Sequence, residues 1–204
     1  MTLSHRHQAR GLQVPAGLAA AMLLAALLPG SFELLAWTRG SADGGQWWRL
    51  ASCQFVHLGP GHLGLNLAGL AAAGVLLRSD FRRRDWLAVT AASMAGVAAG
   101  LVIFLPEIGW YAGFSGALHG IFAGAAATWV RRGRREGWLL AGVLAAKLAW
   151  ETWAGPSGLS VVLTGGPILA AAHLWGALAG GLWGLLRRLP GDVYNPRPGS
   201  GESG

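Results

Sequence analysis

Six stretches of the chain are almost wholly apolar. They run over roughly residues 12–29, 61–78, 86–105, 113–130, 137–154 and 168–186. About 20 mostly apolar residues suffice for a helix to cross a bilayer, so the pattern predicts an all-α membrane protein with six transmembrane helices. Between the stretches lie short polar loops and one longer loop at 30–60. The organisation expected is an N-terminal arm over 1–11, one six-helix domain over 12–186 and a tail over 187–204. The tail is rich in Pro, Gly and Ser, which predicts disorder. A basic arm also precedes secretory signals, but the first apolar run is long for one and no clean small-x-small cleavage site follows it.

Composition agrees with the pattern. Of 204 residues 53% are apolar and only 12% charged, about half the charge of an ordinary soluble domain. Too little charge is available to cover a soluble core, which excludes a disordered chain and an ordinary cytosolic enzyme. One cysteine, Cys53, cannot close an internal disulfide.

The net charge of +7 would point to nucleic acid on a soluble chain. Its placement points elsewhere. Thirteen of the sixteen basic residues fall in the arm (Arg6, Arg10), after the second stretch (Arg78, Arg82, Arg83, Arg84), after the fourth (Arg131, Arg132, Arg134, Arg135) and in the tail (Arg187, Arg188, Arg197). Arg39 and Arg49 lie on the other side and Lys147 inside a span. Positive residues stay cytoplasmic, so both termini are expected inside, with the 30–60 loop outside and no nucleic-acid partner. Trp37, Trp47 and Trp48 of that loop suit a membrane interface.

Polar groups inside spans are costly and by default mark function. Here they converge. The second, fourth and sixth spans run from outside to inside and carry His62 and Asn66, Ser115, and His173 near their outer ends. At 1.5 Å per residue each lies within about 10 Å of the outer surface. His62 and Asn66 are four apart and share a face. Ser115 sits in Gly113-Phe114-Ser115-Gly116, where glycines admit a substrate backbone and a helix start offers free N–H groups. Gly116, Gly120 and Gly124 follow Ser115, and Gly176, Gly180 and Gly184 follow His173. Such stripes let membrane helices pack closely, and packing the fourth span on the sixth would bring Ser115 to His173.

A serine hydroxyl becomes a nucleophile when a base takes its proton, and His173 is the candidate base. His62, Asn66 and the Ser115 N–H could donate to an oxyanion. No carboxylate is expected near this layer, so a Ser–His dyad is favoured over a triad. His119, four residues after Ser115, could in principle be the base but is expected to pack beside the pair. Taken singly, a membrane serine usually serves packing, and a lone histidine is usually a satisfied polar group. It is their common depth and glycine context that favour a site. A metal site on His57, His62 and His173 lacks a carboxylate and any metalloprotease spacing, so neither metal nor cofactor is expected. Lys147 and Glu151, at i and i+4, read equally as a structural ion pair and as a substrate contact.

At these residues the chain resembles the rhomboid intramembrane serine proteases. Trp48-Arg49 looks like the family's WR pair. The run from Phe55 through His57 and His62 to Asn66 looks like its second-helix motif. Gly113-Phe114-Ser115-Gly116 is similar to its GxSG nucleophile motif, and Ala172-His173…Gly176…Gly180 to its sixth-helix motif. The resemblance implies a six-helix protease that cleaves membrane-anchored protein substrates entering laterally from the bilayer. It makes Ser115 the nucleophile, His173 the base, and His62, Asn66 and the Ser115 N–H the oxyanion hole, with Gly113, Gly116, His119 and His57 in support. Many rhomboids carry a tyrosine where this chain has His119. Within the family, the short chain, the lack of a seventh helix and the GFSGALHG run look most like rhombosortase. That subfamily is implied to process C-terminal GlyGly-CTERM sorting tails in Gram-negative bacteria. The site would then face the periplasmic side of a bacterial inner membrane. The rival readings are a catalytically dead rhomboid-like binding protein and a small transporter, although no inverted repeat is evident.

Overall fold

The computed structural model describes the main chain of residues 3–189, with side chains from residue 12 onward. Among these residues six helices have 17 residues or more: α1 (Leu3–Leu27), α2 (Pro60–Leu77), α3 (Arg83–Ala99), α4 (Ser115–Arg131), α5 (Arg135–Trp153) and α6 (Ala170–Leu186). One helix falls on each predicted stretch. The ends differ in two places. α1 begins at Leu3, so the helix continues through the expected arm. α3 runs on into a wider π turn, Gly100–Phe104. Residues 190–204, most of the expected tail, lie outside the described residues.

Two segments, Pro60–Leu77 and Arg83–Phe104, are long and apolar enough to cross a membrane by length and composition, with mean hydropathies of 1.3 and 2.1. Leu12–Leu27 and Ala170–Leu186 are shorter apolar helices. α5 carries Arg135, Glu136, Lys147 and Glu151 along its length. It is also the most peripheral of the six, with only Gly137 buried. Its Trp138, Leu139, Val143 and Trp153 are exposed, an apolar outer surface of the kind a helix presents to lipid tails.

Glycine decides the centre of the bundle. A β-carbon at Gly176, Gly180 or Gly184 of α6 would overlap the main chain of Gly116, Gly120 or Gly124 of α4, respectively. The two stripes therefore put backbone directly on backbone, as small-residue membrane interfaces do. α3 closes on α6 in the same way, with Gly96 against the Trp175 carbonyl and Gly100 beneath the Trp175 ring. Around this contact, Met22, Leu70, Leu77, Trp86, Phe114 and Ile121 form the main apolar core.

The 30–60 segment is a folded cap, with short helices at Ser31–Leu35, Arg39–Asp43 and Arg49–Ser52. Trp37 and Thr38 pair antiparallel with Tyr111 and Trp110. Two arginines staple it. Arg39 donates to the carbonyls of Leu101, Leu105 and Ile108, and Arg49 to those of Glu33 and Ala36. Trp47 and Trp48 are half exposed, as interfacial residues should be, but Trp37 is fully buried. It is a core residue and not an interfacial anchor, because the strand pairing turns its ring onto Cys53, Val97, Leu101 and Tyr111.

At the opposite end, Asp80 gathers the loops. Its carboxylate accepts from Trp129 Nε1 at 3.0 Å and from Arg132 and Arg134, both at 2.9 Å. Arg187 pairs with Asp85 at 3.0 Å.

Candidate active site

Three helices entering from the cap side bring the polar residues together. Gly113 prepares the start of α4. Its φ of +122° is a conformation that side chains rarely adopt, and a β-carbon there would strike the His62 ring. The turn leaves Ser115 as the first residue of α4, with its N–H among those no helical carbonyl reaches. Pro60 opens α2, where a missing N–H costs nothing, and His62 and Asn66 follow on the buried face.

The glycine contact sets the key distance. Ser115 Oγ lies 2.8 Å from His173 Nε2. The other ring nitrogen, Nδ1, lies 2.9 Å from Glu151 Oε2, and Glu151 Oε1 accepts from Lys147 Nζ at 2.5 Å. The side chains of His173 and Glu151 are only 6% and 10% exposed. The sequence predicts no carboxylate near this layer, and the placement of Glu151 corrects that expectation. α5 runs toward the cap, and Glu151 lies two residues before its last residue, Trp153, at the depth of Ser115 and His173.

His119 stacks on His173, with ring centroids 4.1 Å apart and planes 11° from parallel. Its Nδ1 lies 2.7 Å from the Ser115 carbonyl oxygen and so donates to it. That bond is to the main chain and not to Oγ, so His119 lies beside the Ser115–His173 contact, where the sequence places it. His119, Glu151 and His173 have ligand atoms within 4.8 Å of one another. Nearly parallel stacked rings, however, point their lone pairs along separate planes, a poor arrangement for one ion.

Facing Ser115 are His62 and Asn66. The Leu58 N–H points to His62 Nδ1 at 3.5 Å, which favours the proton on Nε2. Asn66 donates one amide hydrogen to the His62 carbonyl at 3.0 Å, leaving its second N–H free to donate. His57 lies edge-on to His62, centroids 4.9 Å apart, with both ring nitrogens buried and unpartnered. It stands outside the Ser115–His173 chain. Burial, and then the neighbouring His62, lower its pKa to about 4, so it is neutral at physiological pH.

These groups line a cavity of about 660 Å³. Its facing walls are α2 and α5, which do not pack closely on each other. Tyr111 and Thr164 are among the lining residues that the sequence does not single out. Tyr111 is buried with its hydroxyl against Gly116, and burial pushes its pKa up, keeping it a donor. Thr164 comes from a short helix, Gly158–Thr164. That helix crosses the start of α2 where Gly61 leaves no room for a β-carbon beside the Leu163 carbonyl. Tyr111 lacked a polar pattern to betray it, and Gly158–Thr164 is too short for periodicity to declare.

A family model described as the Rhomboid domain matches residues 44–189. The chain belongs to the rhomboid family. The match takes in the second half of the cap and everything from α2 to α6. Rhomboid proteins are intramembrane serine proteases acting on membrane protein substrates, and membership makes this chain an integral membrane protein. Among curated proteins no relative matches it.

Proposed function

We propose that this rhomboid protein is an active intramembrane serine endopeptidase, with Ser115 as nucleophile and His173 as general base. The observation that carries the reading is the 2.8 Å contact between Ser115 Oγ and His173 Nε2 at the wall of the cavity. An ionised carboxylate can only accept, so His173 Nδ1 donates to Glu151 and Nε2 is left to accept the serine proton. As Oγ bonds to a peptide carbonyl carbon, its proton passes to Nε2 and the carbonyl π pair moves onto oxygen. Donors for that oxyanion are the Ser115 N–H, the free Asn66 N–H and His62 Nε2. Collapse breaks the C–N bond, and the leaving amine takes the proton from Nε2. Water then repeats the cycle on the acyl-enzyme.

In this reading the six long helices each cross the membrane, with both termini cytoplasmic. Arg78 to Arg84 and Arg131 to Arg135 lie at one end of the bundle, with the cap and the cavity at the other, in keeping with the positive-inside rule. The site would face the periplasm from a bacterial inner membrane. Substrate would enter between α2 and α5. The GFSGALHG run, with His119 stacked on the base, favours rhombosortase and substrates with GlyGly-CTERM tails.

A fluorophosphonate reacts with an activated serine whatever the natural substrate. The proposal expects it to label the wild type at Ser115, with labelling lost in Ser115→Ala and His173→Ala. A transporter or a dead rhomboid would not label.

A further inference from the structure

We propose that Glu151 completes a Ser115–His173–Glu151 relay as the positioning residue of the base, with Lys147 holding its carboxylate. This rests on the protease reading and adds to it a third partner supplied by α5.

The two oxygens of Glu151 have separate duties. Oε2 meets His173 Nδ1 at 2.9 Å, and Oε1 meets Lys147 Nζ at 2.5 Å. The Lys147 side chain is about half exposed, while those of Glu151 and His173 are nearly buried. A simple i,i+4 pair needs only one carboxylate oxygen and no partner on another helix. Here the second oxygen spans from α5 to α6 and fixes one tautomer. Nδ1 keeps its proton, so Nε2 faces Ser115 as an acceptor. When Nε2 takes the serine proton, the ring becomes a cation between Glu151 and the stacked His119. Glu151 stabilises that cation without itself being protonated, the role the carboxylate plays in soluble serine hydrolases.

The groups bearing on His173 are Ser115 and His119 from α4, Glu151 and Lys147 from α5, and His62 across the cavity from α2. Glu151 is the one anion among them. Its removal leaves the ring cation formed during proton transfer without its counter-ion, so the maximal rate falls.

The test uses the full chain in detergent micelles or liposomes and reads the rate of fluorophosphonate labelling at Ser115. In that reaction the Oγ–P bond forms, fluoride leaves and the proton goes to His173. Glu151→Gln is expected to slow labelling roughly 100- to 10,000-fold, the range seen on neutralising such carboxylates. Glu151→Asp should recover part of the rate. Lys147→Met keeps the acceptor and should cost roughly fivefold or less, the worth of a half-exposed ion pair. Labelling of Glu151→Gln at the wild-type rate, or a folded Glu151→Asp that recovers none of the rate, overturns the positioning role alone. So does a Lys147→Met variant that reproduces the rate loss, which would make the pair structural. Wild-type protein that does not label overturns the protease reading itself. Thermal unfolding of each variant separates lost folding from lost activation, because a folding loss lowers the Tm together with the labelled fraction.

Discussion

Gly180 rests directly on the main chain of Gly120, with no room for a single β-carbon between them. The obstacle is a carbonyl on the facing helix and not a flexible side chain, so it cannot swing aside. This contact, repeated one turn away on either side, holds α6 against α4 and brings His173 to Ser115.

Gly180→Val should therefore cost about 1–3 kcal/mol or more of stability, as overpacking does. It should also slow labelling of Ser115 more than tenfold by separating nucleophile from base. Gly142 of α5 has nothing within 4 Å of an added β-carbon, so Gly142→Val is the matched control. Thermal unfolding in micelles and fluorophosphonate labelling read both.

Much of this was legible beforehand. Six apolar stretches became six long helices, and the spacing of Gly116, Gly120 and Gly124 against Gly176, Gly180 and Gly184 anticipated which pair of helices would meet. Glu151 escapes notice in the sequence because α5 enters from the opposite side, so its outer end lies at its C-terminus. Its i,i+4 lysine accounts for only one of the two carboxylate oxygens. Trp37 was misplaced because a two-residue strand pairing, which leaves no periodic trace, turns it inward.

The Asp80 carboxylate satisfies Trp129, Arg132 and Arg134 together. Asp80→Ala removes three charge-assisted or indole bonds, and Arg134 keeps only its longer pairing with Glu136. A loss of about 1–3 kcal/mol is expected, seen as a lower Tm, while Ser115 labelling at low temperature stays near wild type because the network lies at the other end of the bundle.

His57 sits in the chain before α2 with its ring nitrogens unpartnered, and its pKa is lowered from 6.5 to about 4. The unfolded chain therefore binds a proton in that window and the folded protein does not. Stability should fall as pH drops from about 6.5 toward 4. His57→Phe should flatten that part of the Tm–pH curve. An unchanged slope would mean that His57 is not held neutral.

The His119 ring lies parallel to His173 at 4.1 Å. Aromatic stacking of this kind is worth about 0.5–1.5 kcal/mol, so His119→Ala should slow labelling roughly two- to tenfold. His119→Phe, which keeps the stack, should recover most of the rate. If His119 were itself the base, both variants would be inactive.

If Ser115, activated by His173, cuts a peptide bond within the membrane, the direct measurement is cleavage of a single-span reporter, bearing a Gly-Gly, apolar helix and basic tail, by the purified full chain in liposomes. One product is expected with the wild type and none with Ser115→Ala or His173→Ala. Cleavage by Ser115→Ala at the wild-type rate would rule out Ser115 as the nucleophile.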